Sequence, residues 1–344
     1  MLSYEELKTI LDNNDPHFIE TLAQRARAIA VQYIGRAISI YAPIYLSNYC
    51  ENRCIYCGFN QERGIERKKL TLEEMHREMA KVAAPGIRNI LLLTGESRKI
   101  TPVEYLKSAV NTAKLYFSSI SLEVYPLEVA EYRELFLAGV DGVTIYQETY
   151  NKERYRQLHR AGKKKDYDYR YETPERIAQS GIRTISMGVL LGLSEIPGDI
   201  FHLFNHLEWL EKKYPGVEYS LSFPRLIPLN RSEGEYYEVP DILLIKLLCL
   251  ARILFPRVGI NLSTREKPYL RDHALPLGVT KISAASSTRV GGYSLRPSPD
   301  RDVPQFEVMD NRPVAEIVSM LRENGFDPVF TDWRRIANEA AAAS

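Results

Sequence analysis

The chain has 344 residues, of which 45% are hydrophobic, so it is long enough to bury a large core and too long for a minimal binding module. Its 45 basic and 44 acidic residues leave a formal net charge of +1, which argues against nucleic acid or an anionic membrane as the partner. No stretch reaches the roughly 18 uninterrupted apolar residues of a membrane span, and the first residues are acidic and polar, unlike a signal peptide. We therefore expect a cytoplasmic protein that acts on a small molecule.

The predicted elements begin with an N-terminal helical extension, residues 1–36, and continue as alternating strands and helices. Segments with apolar residues three and four apart predict helices between most of the strands, for example over 70–84, 101–117 and 127–139. Short apolar or β-branched runs bounded by turn residues predict eight strands, over 38–47, 89–96, 120–126, 142–149, 184–193, 218–226, 259–266 and 279–288.

This alternation predicts parallel strands joined by crossover helices, and eight such units are the number that closes a barrel. The predicted fold is therefore an α/β (βα)8 barrel of the TIM type over residues 37–288. A C-terminal arm of the same domain, residues 289–344, follows it and contains one helix in VAEIVSMLREN. Because such barrels carry their chemistry on the loops after the strands, the polar residues at the strand ends are the candidates for a site.

Three cysteines lie together directly after the first predicted strand, in YLSNYCENRCIYCGFNQ. Cys50, Cys54 and Cys57 have the spacing C-x3-C-x2-C, which lets one short loop provide three thiolates to a soft-metal cluster. Three ligands leave one iron of a [4Fe-4S] cluster open to chelate the amino and carboxylate groups of S-adenosylmethionine. Zinc is the alternative, but a structural zinc site usually has four ligands, and no second cysteine or histidine pair is present. Cys249 lies alone in an apolar helix-like run, where core packing is expected.

Further segments extend this pattern along nearly the whole chain: FNQERGIERKKLTL, LLLTGES, IYQETY, GKKKDYDYRYETPERI, SFPRLIP, LSTREKPYLRDHALPL, KISAASSTRVGGYS and FDPVFTDW. Together with the cysteine loop they resemble the radical S-adenosylmethionine tyrosine lyases of thiamine biosynthesis, the 2-iminoacetate synthases. The resemblance implies a radical S-adenosylmethionine barrel with two cofactors, a [4Fe-4S] cluster and S-adenosyl-L-methionine. It also implies two protein partners, a thiazole synthase and an electron donor such as flavodoxin or ferredoxin.

The reaction that this resemblance implies starts with a 5'-deoxyadenosyl radical, which takes a hydrogen from the amino group of L-tyrosine. The Cα–Cβ bond then breaks to give 2-iminoacetate and p-cresol. Similar tyrosine lyases of hydrogenase cofactor assembly carry a second cluster on carboxy-terminal cysteines, whereas no cysteine follows Cys249 here. A lyase acting on L-tryptophan is not distinguished by any residue. An iron-sulfur scaffold or carrier, a different class, needs the cysteines but not the charged strand ends.

Five residues are candidates for contacts with S-adenosylmethionine. The resemblance implies that Tyr56 contacts the adenine and that Gly95 and Glu96 receive the amino group. Glu148 is a candidate for the ribose hydroxyls, because a carboxylate accepts two hydrogen bonds, and Arg170 for the methionine carboxylate. Packing, solvated strand ends and structural ion pairs are the alternatives for these side chains. Glu123 is a lower-ranked candidate for the same site.

Three residues are candidates for substrate binding. Arg265 would point into the barrel mouth, where its charge suits the carboxylate of an amino acid, and Arg225 is the second choice. Tyr45 and Ser283 lie on the first and eighth strands, which are neighbours in a closed barrel, and plain core hydrogen bonding is the alternative for both. The basic run Lys163 to Lys165 with Arg160 is interpreted as a solvated helix end, and a docking surface for an electron donor is the alternative. The predicted catalytic residues are thus the three cluster cysteines and Arg265.

Overall fold

Eight parallel strands close into a barrel in the computed structural model, which describes residues 1–227, 235–294 and 304–331. The first strand pairs with the second through Tyr41 and Asn89, and with the eighth through Tyr41 and Ser283, so the circle is complete. The predicted (βα)8 barrel is confirmed. Its strands are β1 (Ala37–Ser47), β2 (Asn89–Thr94), β3 (Ser119–Glu123), β4 (Gly142–Glu148), β5 (Thr184–Val189), β6 (Glu218–Ser222), β7 (Gly259–Leu262) and β8 (Lys281–Ser283).

Helices cover the outside of the barrel, and local capping fixes several of their ends. Ser3 and Glu6 form a capping box at the first helix, and Gly139, at φ 125°, ends the fifth as the sequence predicts. The helices are α1 (Tyr4–Asp12), α2 (Pro16–Tyr33), α3 (Leu72–Ala83), α4 (Val103–Ala113), α5 (Val129–Ala138), α6 (Lys152–Leu158), α7 (Tyr167–Tyr171), α8 (Thr173–Ser180), α9 (Ile196–Lys213), α10 (Asp241–Leu254), α11 (Pro268–Ala274) and α12 (Val314–Glu323), with short 3-10 turns at Lys163–Lys165 and Leu275–Leu277.

The two faces of each strand differ in chemistry, as β1 illustrates. Ile38, Ile40 and Ile44 are buried with the apolar core, whereas Tyr41 and Tyr45 alternate with them and face the lumen. Since successive side chains point to opposite faces of a strand, the same alternation brings lumen-facing side chains from all eight strands together. In the described part of the chain, no helix has both the length and the apolar character that a membrane crossing needs.

Apart from β1, which ends at Ser47 as predicted, the observed strands end earlier than the sequence predicts. The predicted strand 279–288 is only Lys281–Ser283, and the predicted strand 184–193 ends at Val189. The residues beyond still bond to the neighbouring strand, but no longer as a regular ladder: the Gly95 amide donates to the Ser47 carbonyl oxygen at 2.8 Å, and the Leu190 amide donates to the Glu148 carbonyl oxygen at 2.9 Å. The apolar runs therefore mark the strands correctly, but their polar ends belong to the loops that form the site.

A ninth strand, β9 (Asp327–Val329), was not predicted. It lies in the C-terminal arm and pairs in parallel with the start of β1, at Ala37–Ser39. Three residues that include Pro328 carry little strand signal in a sequence, and only the pairing with β1 makes them a strand. Through β9 the arm returns to the barrel. Residues 295–303 and 332–344 of the arm lie outside the described residues.

Candidate active site

The cysteine loop begins where β1 ends and is held in place by side chains that bond to its backbone. Arg67 donates to the carbonyl oxygens of Asn48 at 2.7 Å and Phe59 at 2.9 Å, on the two sides of the cysteines. Cys54 forms an isolated antiparallel bridge with His159, which ties the middle of the loop to the segment after α6. The three thiols are therefore presented by a fixed loop, and Arg67 was not identified from the sequence.

The three thiols fit an iron-sulfur cluster by their chemistry. Cys50, Cys54 and Cys57 all line one cavity. Burial raises the pKa of all three, that of Cys50 to about 11, so the thiolates require a bound cation for stability. Soft thiolates without a fourth protein cysteine are a suitable donor set for a cluster with one open iron. Cys249 is buried in α10 within the apolar core, as expected.

Four charged side chains form a buried network beside the cysteines. Arg170 contacts Glu96 at 3.0 Å and Glu148 at 3.5 Å, and Lys164 contacts Glu148 at 2.6 Å and Glu96 at 3.7 Å. Burial raises the pKa of both carboxyl groups, but Arg170 and Lys164 outweigh it, so both pKa values lie below the ordinary value. The network carries two negative and two positive charges, which makes it electrically balanced without a ligand.

Lys164 contradicts the interpretation of Lys163 to Lys165 as a solvated helix end. Lys163 and Lys165 are exposed, but the side chain of Lys164 is only 12% exposed and reaches into the cavity. The Lys164 amide donates to the Asn52 side-chain oxygen at 3.0 Å, which links the turn to the cysteine loop. The 3-10 turn thus aims one lysine inward and its two neighbours outward.

The ends of β1 and β4 are irregular where they reach the site. The pairing of β1 with β2 shifts between Tyr45 and Ser47, and that of β4 with β5 shifts between Tyr146 and Glu148. Glu148 also has φ 70°, a left-handed conformation that is costly for a residue with a side chain. Such bulges redirect side chains at strand ends. In this backbone conformation the Glu148 carboxylate contacts Lys164 and Arg170.

Gly95 lies at a close approach between β2 and the cysteine loop. A Cβ atom at this position would overlap the carbonyl group of Tyr49, so only glycine fits. The Glu51 amide donates to the Glu96 carbonyl oxygen at 3.0 Å, and the Asn52 side chain donates to the Glu96 carboxylate at 2.8 Å. Gly95 therefore brings the backbone of β2 against the loop, and Glu96 is fixed by it.

Tyr56 lies between Cys54 and Cys57 and is fixed by a histidine that the sequence did not single out. Its hydroxyl lies 2.9 Å from Nε2 of His159, and Nδ1 of His159 lies 2.8 Å from the Tyr155 carbonyl oxygen. Because a carbonyl oxygen only accepts, Nδ1 carries the proton and Nε2 accepts from Tyr56. Burial lowers the pKa of His159 well below its ordinary value, which keeps the ring neutral.

The candidate substrate residues share a second cavity that adjoins the first. The Tyr45 hydroxyl donates to the Gln305 side-chain oxygen at 2.6 Å, and the Ser283 hydroxyl accepts from the Thr264 amide at 3.0 Å. The Arg265 guanidinium stacks on the ring of Phe306, 3.3 Å from its centroid. The structure thus brings Tyr45, Arg265 and Ser283 to one place.

The C-terminal arm contributes to this cavity, which the sequence did not reveal. Gln305 and Phe306 line it, and the backbone at Pro304 and Gln305 packs so closely on Gly58 that a Cβ there would overlap it. Arg225, the second choice for a substrate carboxylate, is instead bound to Glu266 at 3.0 Å and to an aspartate of α10. Its donors are already used within the protein.

The Radical SAM superfamily model matches residues 44–204, and the Biotin and Thiamin Synthesis associated domain model matches residues 222–327. The chain is 38% identical to the 2-iminoacetate synthase of Salmonella typhimurium over 96% of this chain and 88% of that relative, and 37% identical to the Escherichia coli protein over the same shares. The chain belongs to the 2-iminoacetate synthase family. The predicted family and enzyme class are confirmed.

A solved structure supports the same assignment. The FeFe-hydrogenase maturase HydG from Carboxydothermus hydrogenoformans superimposes with a TM-score of 0.89 at 34% identity, covering 96% of this chain and 76% of that one. As a member of the 2-iminoacetate synthase family, the protein is a radical S-adenosylmethionine enzyme. A [4Fe-4S] cluster and S-adenosyl-L-methionine are therefore its cofactors, as the sequence predicts.

Proposed function

We propose that the protein is a radical S-adenosylmethionine lyase that cleaves the Cα–Cβ bond of L-tyrosine to 2-iminoacetate and p-cresol for the thiazole of thiamine. The main support for this proposal is that two adjoining cavities lie at the ends of the barrel strands in a member of the 2-iminoacetate synthase family. One cavity holds three thiols beside a buried charge network, and the other holds an arginine suited to the carboxylate of an amino acid. Together they match a cofactor and a substrate that are both zwitterions.

The residues of the first cavity are proposed to hold the cofactors. Cys50, Cys54 and Cys57 hold the cluster, which with S-adenosyl-L-methionine supplies the 5'-deoxyadenosyl radical. Glu96 receives the ammonium of the methionine part, and Arg170 its carboxylate. The network supports these roles because its members now neutralise one another, and a zwitterion can replace each ion pair with an equivalent one.

The remaining cofactor contacts come from Glu148, Tyr56 and Gly95. Glu148 is proposed to accept hydrogen bonds from the ribose hydroxyls, while Lys164 keeps it ionised. Tyr56 presents its ring to the adenine, because its hydroxyl is committed to His159. Gly95 allows the strand end to come close to the cysteine loop, which places the Glu96 backbone near the methionine part.

The substrate is proposed to bind in the second cavity. Arg265 pairs with the tyrosine carboxylate, because Phe306 fixes the plane of its guanidinium. Among the described residues its edge has only a long hydrogen bond, 3.5 Å, to the Arg225 carbonyl oxygen. Tyr45 and Ser283 place hydroxyl groups on the same wall for the polar atoms of the amino acid. Burial of these groups excludes water, which strengthens each hydrogen bond.

Two protein partners follow from this chemistry. 2-Iminoacetate is an imine that water hydrolyses, so direct transfer to a thiazole synthase is proposed. A cluster that cleaves S-adenosyl-L-methionine must be supplied with single electrons, for which flavodoxin or ferredoxin is proposed. We place the reaction in the cytoplasm, where thiols are kept reduced.

The test is an anaerobic assay of the reconstituted protein with S-adenosyl-L-methionine, a reductant and either tyrosine or tryptophan. Mass spectrometry follows 5'-deoxyadenosine and the organic product. p-Cresol from tyrosine supports the proposal. Product from tryptophan alone would assign the other substrate, and a cluster without any 5'-deoxyadenosine would point to a scaffold or carrier.

A further inference from the structure

Glu123 has a partly buried carboxylate to which the roles above give no function. It is the last residue of β3 and lines both the cysteine cavity and the substrate cavity. Among the residues that the structure describes, its carboxylate forms no hydrogen bond or ion pair. A carboxylate that is partly removed from solvent and has no partner among the described residues is costly, so its position indicates a ligand that brings positive charge.

The surroundings of Glu123 determine where that charge lies. Glu148 is neutralised by Lys164, whereas Arg265 faces the same cavity as Glu123 and is close enough to lower its pKa. Burial first and Glu148 second outweigh this effect and raise the pKa of Glu123 to about 7. A cavity with Arg265 and Glu123 in its walls therefore has one charge of each sign, which complements the carboxylate and the ammonium of an amino acid.

We infer that Glu123 binds the substrate ammonium group and accepts a proton from it before the hydrogen atom is abstracted. The inference rests on the proposed function, since it assigns a catalytic residue to that reaction. One N–H bond breaks and one carboxyl O–H bond forms. The electron pair stays on the nitrogen, so an ammonium and a carboxylate become an amine and a carboxylic acid, and no electron is exchanged.

Removal of this proton makes hydrogen abstraction from the nitrogen easier. A neutral amine that loses a hydrogen atom leaves a neutral aminyl radical, whereas an ammonium would leave a radical cation in a low-dielectric cavity. The same burial that raises the pKa of Glu123 penalises both charges of the ion pair, so it favours the neutral pair over the charged one.

Other carboxyl groups at the site are poorer proton acceptors. Glu96 and Glu148 are held by Arg170 and Lys164, which lower their pKa values, so both bind protons weakly. Among the described residues no cation forms a direct ion pair with Glu123, and a carboxyl group with a raised pKa is matched to a proton acceptor working near neutral pH.

The first test is Glu123→Gln, which keeps the shape of the side chain and removes the base. Glu134→Gln, at an exposed position of α5, is the matched control. We expect p-cresol formation to fall by about 100-fold or more in Glu123→Gln, while cluster absorbance and slow 5'-deoxyadenosine formation persist. The control should match the wild type. If the wild type itself makes no p-cresol, the proposed function fails; if Glu123→Gln makes p-cresol at the wild-type rate, the inference alone fails.

The pH profile separates proton transfer from simple binding. Since the base must be unprotonated, wild-type activity should be lost as the pH falls through about 7. The activity of Glu123→Gln should not show this loss at low pH. It should rise toward the wild-type rate above the pKa of the substrate amine, where the amine is already deprotonated in solution. Glu123→Asp should keep the loss at low pH, at a lower rate. A raised KM with unchanged kcat and no recovery at high pH would overturn the inference.

The titratable or charged groups that act on Glu123 are Tyr41, Tyr45, Tyr146, Glu148, Lys164, Arg170 and Arg265.

Discussion

The two ends of the barrel lumen are built from different chemistry. At the carboxyl ends of the strands the lumen holds buried charges, whereas hydroxyl and amide side chains predominate on its wall toward the amino ends. Asn261 there donates to Ser186 at 3.0 Å and to Ser220 at 3.1 Å. Tyr41 and Tyr146 line the cavities of both halves and mark the boundary between them.

This difference shows that the charged groups suited to chemistry are confined to one end of the lumen. Neutral hydrogen bonds can be lost one at a time, each at a cost of about 1 kcal/mol. Buried charges are stable only as a set, because removing one leaves its partners uncompensated. We therefore expect substitutions at the carboxyl end to affect cofactors and turnover strongly, and substitutions at the amino end to affect stability slightly.

The largest effect is expected for Cys54→Ala. With two thiols left, the loop should not retain the cluster, so iron content, cluster absorbance and 5'-deoxyadenosine formation should all be lost. Cys249→Ala is the matched control, because that thiol lies in the apolar core. It should keep the cluster and lower the free energy of unfolding by about 1 kcal/mol. Cleavage of S-adenosyl-L-methionine by Cys54→Ala would disprove the assigned cluster ligands.

The next largest effect is expected when the buried charge network is disturbed by Lys164→Met. Lys163→Met, at the exposed neighbouring position, is the control. Removing the Lys164 charge leaves Glu148 with one cation, so the free energy of unfolding should fall by about 3 kcal/mol and S-adenosyl-L-methionine should bind more weakly. Anaerobic denaturant titration and equilibrium dialysis measure the two effects. Equal behaviour of the two variants would show that the network is not coupled to the cofactor.

The same variant has a predicted pH dependence. The pKa of Glu148 is depressed in the folded protein, so its contribution to stability is present above the unfolded pKa and is lost as the pH falls through the folded pKa. Without Lys164 the pKa of Glu148 should rise, and the acid-side loss of stability should become shallower in Lys164→Met than in Lys163→Met.

Lys164 also shows where sequence reasoning stops. The cysteine spacing and the strand-helix alternation are local patterns, and from them the cofactors and the barrel were predicted correctly. Three consecutive lysines look alike in a sequence, and only the 3-10 turn decides which of them points inward. Gln305 and Phe306 were missed for a related reason, since they reach the site through the packing of the arm on Gly58, a contact far apart in the chain.

A smaller effect is expected for Arg265→Gln. The cluster and 5'-deoxyadenosine formation should persist, while loss of a charged hydrogen-bond partner, about 1.5 to 3 kcal/mol, should raise the KM for tyrosine by about 10- to 150-fold. Arg225→Gln is the comparison, because its guanidinium is bound to Glu266. It should lower stability and leave the KM unchanged. If instead Arg225→Gln raises the KM for tyrosine and Arg265→Gln leaves it unchanged, the contact with the substrate carboxylate belongs to Arg225.

The smallest effect is expected at the amino end, for Asn261→Ala. The substitution removes two neutral hydrogen bonds, to Ser186 and Ser220, and the freed hydroxyl groups line an open cavity that water can enter. The free energy of unfolding should therefore fall by only about 1 to 2 kcal/mol, with p-cresol formation unchanged. Denaturant titration and the p-cresol assay on the same preparation measure both. A fall in p-cresol formation at unchanged stability would mean that the amino end of the lumen takes part in turnover, and the separation of the two ends would then be wrong.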